Sequence, residues 1–340
     1  MELKTNLLFV VLSLFSVQAH GALPQYRAEM VVAPATAEFW GMNSAGTIVG
    51  WMDTPTNNKG LIRRANGEIV VVEPPPGYEG YEVDFTDIND AGQISGTLVH
   101  GFNGTGKGFV YTEAGGFRIM NSAPTEAIAT SSMTNDGLMA FTYSGGSGLW
   151  NPETNAFIHI PRYGMQGATA GGRATGYDWS WHNGTFTQLQ GAGTKYSQAV
   201  KSDGVTAGYK FVGTSVGSVI WGANGSEIYT DFNSAYRSHF FDLNETGLAV
   251  GYRWLSSTSS YGTLYSHEFG TIDVNTVISE QNFAGPVRGL LRIENNGLAM
   301  GRIAEGDVFR TVLLTPVPEP GTVIALGAGL AALLRRWRKT

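Results

Sequence analysis

One recurring pattern constrains this chain more than any other feature. A polar turn ends in glycine, and a second glycine or small residue follows four positions later. It reads Asn43-Ser44-Ala45-Gly46 with Gly50, then Asn89-Asp90-Ala91-Gly92 with Gly96, then Asn135-Asp136-Gly137 with Phe141. A degenerate copy, Gly172 with Gly176, comes fourth. Ser202-Asp203-Gly204 with Gly208, Asn244-Glu245-Thr246-Gly247 with Gly251, and Asn295-Asn296-Gly297 with Gly301 complete seven copies. Successive turn glycines are 46, 45, 35, 32, 43 and 50 residues apart. Asn or Asp next to Gly closes a β-hairpin, because both tolerate the positive φ such turns need. Small residues in the strand after the turn suit a place where neighbouring strands come close, as at the centre of a radial assembly.

A second strand follows each copy and carries an aromatic in most units: Phe109-Val110-Tyr111, Leu149-Trp150, Trp179-Ser180-Trp181, Val219-Ile220-Trp221 and Leu264-Tyr265. Second turns come next at Asn66-Gly67, Gly115-Gly116, Asn183-Gly184 and Asn224-Gly225, each leading into an apolar strand. With the strand before each Asn, a unit has about four strands. Repeated four-stranded units of about 40 residues predict an all-β propeller of seven blades. Six or eight blades stay open, since the fourth copy is weak, as does a β-stack that never closes. The seventh unit has one strand too few, while Tyr26 to Val32 precedes the first unit without a partner. The N-terminal strand is therefore expected to complete the last blade, which removes an exposed sheet edge. The aligned aromatics Tyr111, Trp150, Trp181, Trp221 and Tyr265 are expected to pack between blades.

Both ends of the 340-residue chain read as processing segments. Lys4, the apolar run Leu7 to Val17 and Val17-Gln18-Ala19 form a signal peptide over residues 1–19, too short for a spanning helix. The repeat domain then occupies 24–315 and a sorting segment 316–340. In that segment Val317-Pro318-Glu319-Pro320 opens the tail, Thr322 to Leu334 is apolar or small, and Arg335, Arg336, Arg338 and Lys339 end it. Thirteen such residues make about 20 Å of helix, shorter than a hydrocarbon core, so flanking Arg and Trp would anchor at the interface. The basic cluster belongs on the cytoplasmic side.

Order and spacing of these three parts resemble the PEP-CTERM sorting signal of Gram-negative bacteria. That resemblance implies an exosortase-like membrane enzyme as partner, and a C-terminal hydrophobic helix that anchors the chain until or unless it is cut. The segment Asp87-Ile88-Asn89-Asp90-Ala91-Gly92-Gln93-Ile94-Ser95-Gly96 is similar to HAF-type extracellular repeats, which implies a propeller-like surface protein and carries no catalytic residues across.

Formal net charge is −6, with no basic face for nucleic acid. There is no cysteine, which excludes disulfides and thiolate metal sites. Six scattered histidines include no pair spaced for a zinc-protease helix. No nucleophile elbow or phosphate loop is formed, so no catalytic, cofactor or metal residues are assigned. Asp84, Asp87, Asn89 and Asp90 lack the frame of a calcium loop and read as turn residues. The freest candidates are Tyr78 and Tyr81, in the stiff segment Pro74-Pro75-Pro76-Gly77-Tyr78, which could stack on sugar rings. The sequence therefore favours a non-catalytic, exported propeller that binds extracellular polysaccharide. The alternative is a propeller glycan hydrolase or lyase with acids converging in a central channel.

Overall fold

The computed structural model describes residues 23–101, 105–121, 128–256, 259–306 and 308–318. Its chain from Tyr26 to Pro316 is one compact unit of seven antiparallel sheets. Six sheets have four strands in sequence order, spanning 37–72, 82–119, 128–160, 165–188, 194–231 and 237–273. The fold is a seven-bladed β-propeller. Helical structure among the described residues amounts to one 3-10 turn, Val274–Thr276. Residues 1–19, read from sequence as a signal peptide, the apolar tail segment, its basic cluster, Glu319 and Pro320 lie outside the described residues.

The seventh blade joins the two ends of the ring. Val287–Ile293, Ala299–Glu305 and Val308–Val317 supply its three inner strands, and Gln25–Met30 takes the fourth place beside Val308–Val317. The Val31 amide donates to Thr311 O at 2.9 Å along this seam. A fifth strand, Ile278–Gln281, pairs in parallel outside Gln25–Met30. Nothing in the repeat pattern announced it. It covers the edge that the N-terminal strand would otherwise leave open.

All seven turn glycines sit at positive φ, Gly46 at +82° among them. In blades 1, 2 and 6 the turn is an Asn-x-x-Gly closure, as where Gly46 N donates to Asn43 O at 2.9 Å and Asn43 N to Thr47 O at 3.1 Å, while Thr134, Thr169, Lys201 and Glu294 take the place of Asn in the other four. The degenerate fourth copy is a true blade with short strands, from Met165–Thr169 to Thr185–Gln188.

The second glycine of each copy has a more local cause than crowding at the ring's centre. Every innermost strand carries a bulge at the same place, between Phe39 and Gly41 in blade 1 and between Phe85 and Asp87 in blade 2. A bulge bends its strand toward the partner. A Cβ on Gly50 would lie 1.8 Å from Glu38 O, and one on Gly251 would lie 1.7 Å from His239 O. Glycine lets the second strand pass the bulge in six blades, while in blade 3 Phe141 stands there opposite Thr130.

There is no common core. Seven apolar clusters fill seven seams between adjacent blades. Val49 and Ile62 of blade 1 meet Val83, Phe85 and Phe109 of blade 2. Met300 of blade 7 meets Phe39, Met42 and Leu61 of blade 1. The aligned aromatics fill these seams as expected: Trp150, Trp181, Trp221 and Tyr265 are buried and Tyr111 is half-buried, each against the preceding blade.

Because strands alternate in direction, the propeller has two distinct faces. The Asn-x-x-Gly turns define a turn face. The connections from each outer strand to the next innermost strand define a loop face. The chain leaves the ring on the turn face, where Pro316 lies beside Gly297.

Tyr26, 2% exposed, ties the N-terminal strand into the cluster of blade 7. Tyr26→Ala is expected to cost about 3–5 kcal/mol, the range for truncating a buried aromatic. Urea titration followed by intrinsic fluorescence measures it. A cost below about 1 kcal/mol would mean that the ring does not depend on this closure.

Candidate functional site

On the turn face the polar repeat residues form brackets between blades. Asn89 is 2% exposed. Its Oδ1 accepts from its own turn at Gln93 N (2.9 Å), and its Nδ2 donates to Thr134 O of the next blade (2.9 Å). Asn244 does the same with Leu248 N and Glu294 O, both at 2.9 Å, and Asn43 with Thr47 N and Asn89 O. Two residues upstream, Asp87 Oδ2 accepts from Met133 N of the next blade at 2.9 Å, and Asp242 Oδ2 from Ile293 N at 2.9 Å. In blade 3, Ser132 Oγ accepts from Ala168 N in this role.

A second belt runs outside the first. Asp90 Oδ1 accepts from both Ser44 N and Ser44 Oγ, while Asp90 N donates to Asn135 Oδ1. Glu245 accepts from Ser202 N and Oγ, and Asn296 Nδ2 donates to Ser44 O at 2.8 Å, from blade 7 to blade 1. Asn89 thus serves its own turn and the next blade, while Asp87 and Asp90 bond to neighbouring blades, a role the reading of them as turn residues did not include. Asn244, which heads a sequon, is spent on turn hydrogen bonds to Thr246 and Leu248.

Inside these belts lies a central cavity of about 590 Å³, walled by innermost strands and their turns. Asp87, Asp242, Arg292 and Glu294 converge on it. Burial pushes the Asp87 carboxyl up to about 6, with Arg292 pulling against it. Burial likewise raises Asp242. Glu294 is pushed up to about 8, first by burial and then by the charges of Asp242 and Asp87. Glu294 is therefore a protonated acid at neutral pH. Among the described residues no three His, Asp or Glu side chains are grouped to hold a metal ion.

The loop face is different in kind. Its exposed large side chains include Tyr163, Tyr177, Phe211, Phe232, Trp254 and Phe309, an arc from blade 3 round to blade 7. Inside the arc, Tyr196, Tyr209, His239 and Tyr252 stack in series with centroids 5.0, 4.1 and 4.8 Å apart. Burial, helped by Arg237, pushes His239 down to about 4, so its imidazole is neutral at pH 7. Tyr78 and Tyr81 also lie at this face, in the connection between blades 1 and 2. They are half-buried, edge-to-face with each other at 5.1 Å, with His100 against Tyr81 and Lys107 Nζ 5.9 Å from the Tyr78 ring. The arc was missed from sequence because an aromatic at a strand end has the same spacing as a seam residue. What separates the two is position at the loop-face end of a strand, as for Phe211, Trp254 and Phe309, or just beyond it, as for Tyr163, Tyr177 and Phe232, which needs the strand bounds.

Residues 316–339 match the family described as the PEP-CTERM protein-sorting motif. The chain carries a PEP-CTERM sorting motif. It begins at Pro316, where the last propeller strand is ending. Curated proteins provide no match to the chain. Among solved structures it is similar to a streptogramin B lyase, at 12% identity and a TM-score of 0.54, over 86% of this chain and 98% of that one. It is also similar to a gluconolactonase of Xanthomonas campestris (11%, TM-score 0.40, 89% and 99%). A lectin of Aleuria aurantia, solved with α-methyl-L-fucoside, aligns at 10% and a TM-score of 0.38, over 88% and 99%. The first likeness speaks to the fold alone, and the other two carry no argument beyond being propeller-sized alignments.

Asn89→Ala leaves the part-buried Gln93 amide without its acceptor and cuts the bond to Thr134 O, which keeps only Gly137 N, and is expected to cost about 2 kcal/mol. Asp90→Ala, on the exposed belt, should cost under about 1 kcal/mol. Equal costs in denaturant titrations would contradict the bracket. Glu294 adds a pH signature. Its unfolded carboxyl releases its proton around 4.5, while the folded one holds it to about 8. The stability it contributes is full below pH 4.5 and is lost as pH rises through 8. Glu294→Gln should therefore flatten the fall in Tm between those values, gaining on the parent at pH 8 to 9. Parallel Tm–pH curves for the two proteins would rule this out.

Proposed function

We propose that this protein is exported by its signal peptide, sorted at its PEP-CTERM motif by an exosortase-like membrane enzyme, and acts outside the cell as a non-catalytic binder of polysaccharide. The observation that carries the binding part is the arc of exposed aromatic side chains on the loop face. Aromatic rings present broad apolar surface with little rotamer freedom to lose, which suits stacking on the apolar faces of sugar rings. Tyr78 and Tyr81 extend the same face. The likeness of residues 87–96 to HAF-type repeats supports placement at the surface. Val317, Pro318, Glu319 and Pro320 are the recognition segment for the sorting enzyme, and the apolar stretch with Arg335, Arg336, Arg338 and Lys339 holds the chain in the membrane until it is cut.

A second reading, a glycan hydrolase or lyase, draws support from Glu294, an acid poised near 8 beside Asp87 in the central cavity. Against it, Asp87 and Asp242 are each engaged by a backbone amide of the next blade, which suits a structural role. One experiment separates the readings. The full-length protein is incubated with exopolysaccharide from its own producer, and both retention and new chain ends are measured. Retention without new ends is the expected outcome. New ends that vanish with Glu294→Gln would replace this reading with the second, and no retention would remove it. Mass spectrometry of the cell-surface protein should find a start after Ala19 and an end near 317–320. An intact Met1–Thr340 chain in the cytosol would overturn the sorting part.

A further inference from the structure

A cleft of about 420 Å³ opens on the loop face between blades 5 and 6, lined among others by Thr214, Ser215, Ser234, Tyr236, Arg237 and Trp254. The Trp254 side chain is 38% exposed. Arg237 is its cross-strand partner, with the guanidinium 5.9 Å from the ring centroid. Arg237 is exposed and forms no ion pair among the described residues. Asp231, the acid held against this wall, is already committed. Its Oδ2 accepts from Arg253 Nη2 at 2.6 Å, and its Oδ1 accepts from the Tyr236 hydroxyl at 2.7 Å. The Arg253 guanidinium also covers the Tyr236 ring at 4.3 Å. One wall is therefore rigid and internally neutralised, and the other presents a free cation beside an open indole. Hydroxyls of Thr214, Ser215 and Ser234 rim the space between.

We propose that this cleft takes a carboxylate-bearing sugar, one uronic acid unit of an anionic polysaccharide, stacked on Trp254 with its carboxylate paired to Arg237. This rests on the polysaccharide-binding reading and narrows it to a charge class. The pairing follows from chemistry. A neutral sugar would use the indole and the hydroxyls and leave the guanidinium idle. An acidic peptide would use the guanidinium and leave the ring without a flat apolar partner. Only an acidic ring uses all three, and Arg is the cation whose planar fork matches a carboxylate. The protein carries a net charge of −6. An anionic polymer is repelled by the molecule as a whole, so a local unpaired cation is what would select it, and added salt should weaken the contact.

The test titrates the full-length protein, by calorimetry, with uronate trisaccharides (galacturonate, glucuronate, mannuronate) and with their carboxyl-reduced counterparts. The expected result is at least a tenfold preference for one of the acidic forms. Arg237→Gln should abolish that preference, and Trp254→Ala should weaken both forms about tenfold, with Tm unchanged in each variant. No binding of any uronate, equal binding of acidic and reduced forms, a preference that survives Arg237→Gln, or equal binding of an oligoglutamate would each overturn the assignment. Should parent and both variants retain the producer's exopolysaccharide equally, the cleft assignment fails and the binding function stands. Should the parent retain none, the binding function itself fails.

Discussion

Each blade is a thin sheet with two apolar faces, and only its neighbours can cover them. Four strands of four to ten residues cannot enclose a core by themselves. The molecule solves this seven times over, with one cluster in every seam and none at the centre. The arrangement is sound only if the ring closes, because one open seam would expose both Met300 of blade 7 and Phe39 and Leu61 of blade 1. Closure by Gln25–Met30 therefore supports every other contact. The parallel strand Ile278–Gln281 outside it gives the closing blade an extra hydrogen-bonded edge on the element whose fraying would undo the rest.

The brackets on the turn face set where the apolar seams may slide. A seam of Val, Phe and Ile is tolerant of small shifts, since dispersion contacts have little directional preference. Asn89 bound to Thr134 O, and Asp87 bound to Met133 N, are not tolerant. They fix each innermost strand in register with the next. The bulge that puts Asp87 in position is also what obliges Gly96 opposite it, since a Cβ there would meet Asp84 O at 2.6 Å. One polar residue, one bulge and one glycine are thus a single device, repeated with substitutions around the ring.

That device explains what could be read from sequence and what could not. Turn glycines were legible because positive φ leaves few alternatives to glycine, and their spacing pointed to seven blades, with six or eight left open by the weak fourth copy at Gly172. The missing strand of the last unit was legible as an unmatched strand at the other end. The reason for the second glycine was not legible, because a bulge leaves no residue type of its own: Trp40, Thr86, Gln166 and Phe241 all occupy its outward position. The candidate ligand face was hidden for a similar cause. Trp181 and Trp254 look alike in sequence, yet one fills a seam and the other stands open to solvent. Tyr78 and Tyr81 were singled out on local composition, and their half-burial comes from the seam between blades 1 and 2, with His100 and Lys107 beside them, contacts that only the folded blades bring together.

The two faces divide labour along chemical lines. Carboxylates and amides gather on the turn face, where backbone amides of the next blade need acceptors and where the chain leaves the ring. Aromatic rings gather on the loop face, where connections vary in length and no bracket has to be preserved. Asp87 and Asp242 are held by backbone amides while burial raises their pKa values, the combination expected of groups kept for geometry at an electrostatic cost. Glu294 departs from that pattern. It stands where blades 1, 2 and 6 place asparagine, and it carries the charge burden of both aspartates. The loop-face cation Arg237 departs from it in the opposite direction, with no carboxylate of its own beside an open indole. A ring built by repetition records function where a repeat is broken, and these are two such places.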